Sequence, residues 1–159
     1  IRSGYDLGIE KSRDMGASWL CVMVPEWFWH FFPLQSFLFV SRKEEYVYKS
    51  GDMKALFQKI EFVHKRQPKW LFKRPPKMQS LHLENMDNGS TIDGESTTGD
   101  VGRGDRRTAV LLDEFASVPS DEGYKALAST RDVTRCRIFN STPKAASGAC
   151  YDMITSPDV

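Results

Sequence analysis

Apolar runs of strand length recur along this chain at SFLFVS (36–41), TAVLLDE (108–114) and CRIFNS (136–141), each bounded as a buried strand is. Helical spacing fills the intervals. Gly16 to Phe31 is dense in apolar residues, Leu56, Ile60 and Val63 stand at i, i+4 and i+7 with Phe57 beside them, and another helix includes Glu122 to Ser129. A shorter strand, YDLGIE at 5–10, leads into the first helix, which is expected to bend near Pro25 because proline donates no backbone hydrogen bond. Strands alternating with helices predict an α/β fold with a mainly parallel central sheet flanked by helices. Ligands of such sheets sit at the carboxyl ends of the strands.

Two stretches depart from this alternation. In MQSLHLENMDNGSTIDG, Leu81 and Leu83 alternate with polar residues, Asn88-Gly89 supplies a turn and Thr91-Ile92 resumes, which predicts a β-hairpin insertion. ESTTGDVGRGDRR, rich in glycine and polar side chains, predicts a mobile loop.

The 159 residues are about one domain, and 40% apolar with 12% aromatic content is enough to close a core. Because the chain opens on Ile1 with barely one strand ahead of the first helix, it is expected to be a piece of a larger protein. Cys21, Cys136 and Cys150 form no C-x-x-C pair and leave an odd thiol, which points away from a disulfide framework or a cysteine zinc site and toward a reducing cytosol. WLCVMVPEWFWHFF is interrupted by Pro25, Glu26 and His30 and is too short for a bilayer span, so no membrane partner is expected.

A net charge of +1 conceals an asymmetry: residues 42–79 carry eleven Lys or Arg against four acids, and residues 80–159 carry eight against thirteen. HKRQPKWLFKRPPK, residues 64–77, sets Trp70 and Phe72 among cations, as a groove for a polyanion would. A solvated, proline-broken connector has the same composition.

Chemistry is carried by three short patterns. EKSRDMGAS ends like the phosphate loop G-x-x-x-x-G-K-[ST], yet Ala17 occupies the lysine position and a lysine stands instead at Lys11, where the first glycine belongs. Such a loop works because backbone N–H groups at a helix start face an anion that glycine, here Gly16, lets approach. Ser18 holds the place of the hydroxyl that ligates magnesium, and either Lys11 or Arg13 can clamp the charge of phosphoryl transfer. An ordinary strand-to-helix turn is the plain alternative.

In the second pattern, TAVLLDE, Asp113 and Glu114 arrive together at a strand end, the first placed to hold magnesium through oxygen and the second to orient and deprotonate a water. A solvated acidic pair would read the same. The third, CRIFNSTPK, puts Ser141 and Thr142 just past a strand, where hydroxyls can sense a γ-phosphate or form a local turn with the backbone. Their order along the chain, loop, acidic strand, helix, hydroxyl strand, favours the concerted reading.

KSRDMGAS, GRGDRRTAVLLDEFA and FNSTP, supported by SRKEEYV, GDMKALFQKI and NGSTIDGEST, resemble the ATPase domain of the large terminase subunit of tailed bacteriophages, over nearly the whole chain. In several members of that family the loop lysine stands at the start of the motif. The resemblance implies a P-loop NTPase of the ASCE type that hydrolyses ATP with Mg2+ to drive double-stranded DNA into a procapsid. It implies a nucleotide loop of Lys11, Ser12, Arg13, Asp14, Met15, Gly16, Ala17 and Ser18, in which Lys11 is the displaced cation and Arg13 an arginine finger. It further implies that Ser18 and Asp113 hold the metal, that Glu114 is the catalytic carboxylate, and that Ser141-Thr142 couples hydrolysis to movement. Arg103 is a second candidate for phosphate sensing or for action across a subunit boundary.

By the same resemblance the partners are DNA, a small terminase subunit, a portal protein and further copies of the chain in a ring, in the cytoplasm of the host cell. An upstream adenine-binding segment and a downstream nuclease domain, both present in the family, have no counterpart in residues 1–159, which are expected to form one ATPase domain. A helicase-like ATPase would share the loop and acids but generally continues D-E-x-[HD], where this chain has Asp113-Glu114-Phe115-Ala116. A nucleotide-incompetent module that binds DNA or protein through its basic block is the reading from another class.

Overall fold

The computed structural model describes residues 1, 4–97, 101–102 and 105–156. Seven strands form one sheet: β1 (Leu7–Glu10), β2 (Ser36–Ser41), β3 (Lys77–Gln79), β4 (His82–Glu84), β5 (Thr91–Ser96), β6 (Ala109–Asp113) and β7 (Arg137–Ser141), in the order β1-β7-β6-β2-β5-β4-β3. The first five in that order run parallel, and β5-β4-β3 are antiparallel. The expected hairpin is present, with Leu83 opposite Ile92. Its second strand is also a central one, since β5 pairs along its whole length with β2, and β3 adds an edge that the apolar pattern did not announce.

Five helices complete the described fold: α1 (Ala17–Phe31), α2 (Glu44–Val47), α3 (Leu56–His64), α4 (Ser120–Val133) and α5 (Ala149–Thr155). Period-two geometry sorts β2 between two cores. Phe37 and Phe39 join Cys21, Val22 and Trp29 of α1 and Phe57 and Ile60 of α3, while Leu38 and Val40 join Ala126 and Leu127 of α4 and Ala149 of α5. Burying both faces explains why these strands read as unbroken apolar runs.

α1 continues through the buried Pro25 and stops at Phe31. Its last carbonyls are collected by the predicted turn: Asn88 Nδ2 donates to the carbonyls of Trp29, His30 and Phe32 at 3.0–3.2 Å, and Ser90 Oγ donates to Phe32 at 2.8 Å. Those groups would otherwise end unsatisfied. Close packing recurs at Gly94, where an added Cβ would lie 2.6 Å from Val47 Cγ1.

Part of the glycine-rich stretch expected to be a mobile loop is built into the fold. β5 runs to Ser96, Val101 is 2% exposed in the α4-side core, and the Gly102 N–H donates to Glu95 Oε2 at 2.7 Å.

Candidate active site

β1, β6 and β7 end on one rim, and β7 lies between the other two. A buried Arg137 helps hold this register: its backbone N–H and Nε each donate to the Asp6 carboxylate at 2.8 Å, just ahead of β1. The ladder extends one bond past β1, where the Lys11 N–H donates to the Ser141 carbonyl at 3.1 Å.

From Lys11 the chain turns into α1 through Asp14 and Gly16, at φ of 60° and 72°. An added Cβ at Gly16 would meet nothing within 4 Å, so conformation rather than space calls for glycine there. The first turn of α1 carries no acid, which leaves its N–H groups and dipole suited to an anion. Ser12, Arg13, Asp14 and Met15 are exposed along the loop and Ala17 begins the helix.

Lys11 crosses the rim to the acids. Its Nζ lies 2.9 Å from Glu114 Oε1 and 3.3 Å from Thr142 Oγ1, with the lysine side chain 12% exposed. Ser18 Oγ donates to Asp113 Oδ1 at 3.0 Å. All three sequence patterns therefore meet at one place, and the ammonium is not in open solvent.

Glu114 follows β6 with φ 54° and ψ 36°, the left-handed region, which costs a non-glycine residue about 1 kcal/mol or more. Its neighbours hold it there: Phe115 is buried, the Ser117 N–H donates to the Glu114 carbonyl at 2.9 Å, and the Ala116 N–H donates to Ser141 Oγ at 2.8 Å. From this turn the carboxylate reaches the Lys11 ammonium. Ser141, read from sequence as a possible phosphate sensor, is 4% exposed and uses its hydroxyl to brace this turn. Thr142 is the hydroxyl that reaches Lys11.

Asp113 is 7% exposed, and burial pushes its carboxyl above the ordinary carboxylate range. Donors on Asn140 and Ser18 oppose that rise and the charge of Glu114 adds to it. Behind the site, Lys59 of α3 is also buried, and burial lowers its pKa while the charge of Asp113 holds it up. Cys21 beneath the loop is pushed up to about 12, first by burial, and so remains a neutral thiol.

A Mg2+ ion fits this donor set. It takes hard oxygen ligands and is commonly held by one or two protein groups together with phosphate oxygens and water, and Ser18 with Asp113 supplies a hydroxyl and a carboxylate 3.0 Å apart. The described residues contain no group of three or more His, Cys, Asp or Glu that would cage a metal by themselves. Arg13 stays on the exposed loop, and Arg103 lies outside the described residues. Sequence reasoning passed over Asn140 and Lys59, which stand among other polar residues of β7 and α3 and left no periodic signal.

No helix among the described residues is long and apolar enough to cross a membrane. Neither a family model nor a curated protein matches the chain. Solved structures do. The ATPase domain of the Thermus phage P74-26 large terminase aligns with a TM-score of 0.65 at 16% identity, over 89% of this chain and 61% of that one. The large terminase of bacteriophage HK97 aligns with a TM-score of 0.68 at 12% identity, over 94% of this chain and 32% of that one. That of the thermophilic bacteriophage D6E, in complex with ATP-gamma-S, aligns at 0.56 and 11% identity over 86% and 32%. This chain thus spans about three fifths of the isolated domain and one third of the longer proteins. The chain has the mixed α/β, P-loop NTPase-like fold of the ATPase domain of phage large terminases.

Proposed function

We propose that this chain is the ATP-hydrolysing part of a motor that moves double-stranded DNA, as a large terminase subunit filling a procapsid. The observation that carries the proposal is the meeting of Lys11, Ser18, Asp113, Glu114 and Thr142 on one rim, from segments as far as 131 positions apart. A chance turn, a solvated acidic pair and an unrelated hydroxyl would have no reason to converge.

ATP is the substrate, its phosphates received by the N–H groups of the Gly16 turn and the first turn of α1. Lys11 exchanges Glu114 for the β- and γ-phosphates, and the freed Glu114 orients a water and takes its proton. The Lys11–Glu114 pair thereby keeps the base engaged until nucleotide arrives. Ser18 and Asp113 hold Mg2+, which when bound neutralises charge that grows on the phosphate oxygens. Arg13, exposed on the loop, supplies an arginine finger, with Arg103 the second candidate in cis or across a subunit boundary. Thr142, bonded to Lys11, and Ser141, bracing the turn after Glu114, carry the nucleotide state into β7.

DNA meets the exposed cations of residues 65–77, where Trp70 is 80% exposed. A ring of copies, a small terminase subunit, a portal protein and the host cytoplasm complete this reading. The binding-module alternative draws on the same basic stretch and dispenses with turnover.

Glu114→Gln in the full-length protein tests the proposal. Binding of Mg2+-ATP is expected to persist while hydrolysis falls by about 10²- to 10⁴-fold, the usual contribution of a positioned base. Turnover above about one tenth of wild type removes Glu114 from that role.

A further inference from the structure

Asn140 is wholly buried within β7. Its amide nitrogen has two hydrogens, and both go to the site: Nδ2 donates to Asp113 Oδ1 at 2.6 Å and to Ser18 Oγ at 3.1 Å. Ser18 passes its own hydrogen to the same Asp113 oxygen at 3.0 Å. The three side chains close a triangle.

Counting donors and acceptors shows what the triangle leaves free. Asp113 Oδ1 already accepts two hydrogens, and the Ser18 hydroxyl has committed its hydrogen and one lone pair. One Ser18 lone pair and Asp113 Oδ2 remain, both hard oxygen donors, and no described hydrogen bond reaches Oδ2. Reversing the amide would set its oxygen against the Asp113 carboxylate, so the donors fix its orientation. Asn140 Oδ1 is left buried without a partner, a cost that a purely structural amide would be expected to avoid.

We propose that Asn140 is a positioning residue for the divalent cation, resting on the assignment of Ser18 and Asp113 as its ligands. The amide fixes the two ligands relative to each other and presents Asp113 Oδ2 and the remaining Ser18 lone pair to the ion. A neutral donor suits the task because it orients Asp113 without cancelling the charge that attracts the ion; a lysine here would compete with it.

The experiment titrates Mg2+ against the full-length protein and a fluorescent ATP analogue, and repeats the nucleotide titration in EDTA. Asn140→Leu keeps the buried volume and removes both donors. Its half-saturating Mg2+ concentration is expected to rise by about 10- to 100-fold, the usual effect of losing an outer partner of a metal ligand, with affinity in EDTA nearly unchanged. Asn140→Ser retains a single donor, should fold where leucine does not, and is expected to fall between. Half-saturation within about twofold of wild type, or equal losses with and without Mg2+ in whichever variant folds, overturns the inference. A wild-type affinity indifferent to Mg2+ overturns the ligand assignment itself, and the inference with it.

Discussion

The Lys11 ammonium lies 2.9 Å from a carboxylate oxygen of Glu114, 103 positions away in the chain. A lysine at the start of the loop thus reaches the acid that follows β6. If this cation is the phosphate clamp, Lys11→Ala should weaken ATP binding by about 10- to 100-fold, the worth of a hydrogen bond to a charged group. Equilibrium titration with a fluorescent ATP analogue measures it, and unchanged affinity and turnover would favour the binding module.

Salt dependence interrogates the basic stretch. Lys69 and Lys73 are exposed, and replacing both with alanine should lower the slope of log affinity for duplex DNA against log salt by about 0.9 for each phosphate no longer neutralised. A slope already near zero in the wild-type protein would make residues 65–77 a connector.

Gly94 should tolerate no side chain. A Cβ there would meet Val47 Cγ1 at 2.6 Å and Leu81 Cδ2 and Phe57 Cε2 at 3.0 Å, atoms of a packed core. Gly94→Ala is expected to cost about 1–3 kcal/mol by overpacking, visible as a lower denaturation midpoint with an unchanged slope. An unchanged midpoint would mean that the β2–β5 core yields more readily than its packing implies.

His30 gives the fold a sensitivity to acid. Burial lowers its pKa from the ordinary 6.5, while the charges of Glu26 and Asp87 oppose the shift and His64, 3.0 Å from Glu26, reinforces it. Well above pH 6.5 neither folded nor unfolded chain is charged at His30. As pH falls below that value the unfolded chain takes up a proton that the folded chain resists, so stability declines until the lowered pKa is passed. His30→Phe, set among Phe31, Phe72 and Trp29, should lose less melting temperature than wild type between about pH 7.5 and about pH 5. Parallel losses would remove His30 as the source of the acid sensitivity.

What the sequence disclosed followed from repetition and burial. β2, β6 and β7 were visible because both faces are covered, and the hairpin turn because Asn88-Gly89 has a distinct backbone preference. β3 was not, since Lys77 and Gln79 are exposed on an edge and leave no apolar signature. Lys11, Ser18, Asp113 and Glu114 could be found by spacing, but Asn140 could not: one amide in a strand has no period, and its partners lie 27 and 122 positions away. Ser141 shows the converse, a residue found by pattern whose hydroxyl is occupied by the Ala116 N–H.

Because β7 lies between β1 and β6, the strands that lead to the loop and the acids are not paired with each other, and their backbones are registered through one intermediary. A slip of one residue in β7 would exchange Asn140 for Phe139 or Ser141 opposite Asp113 and turn every side chain of the strand to the other face. The chemistry therefore cannot be detuned by gradual sliding; it is assembled or dismantled in whole steps of the pleat.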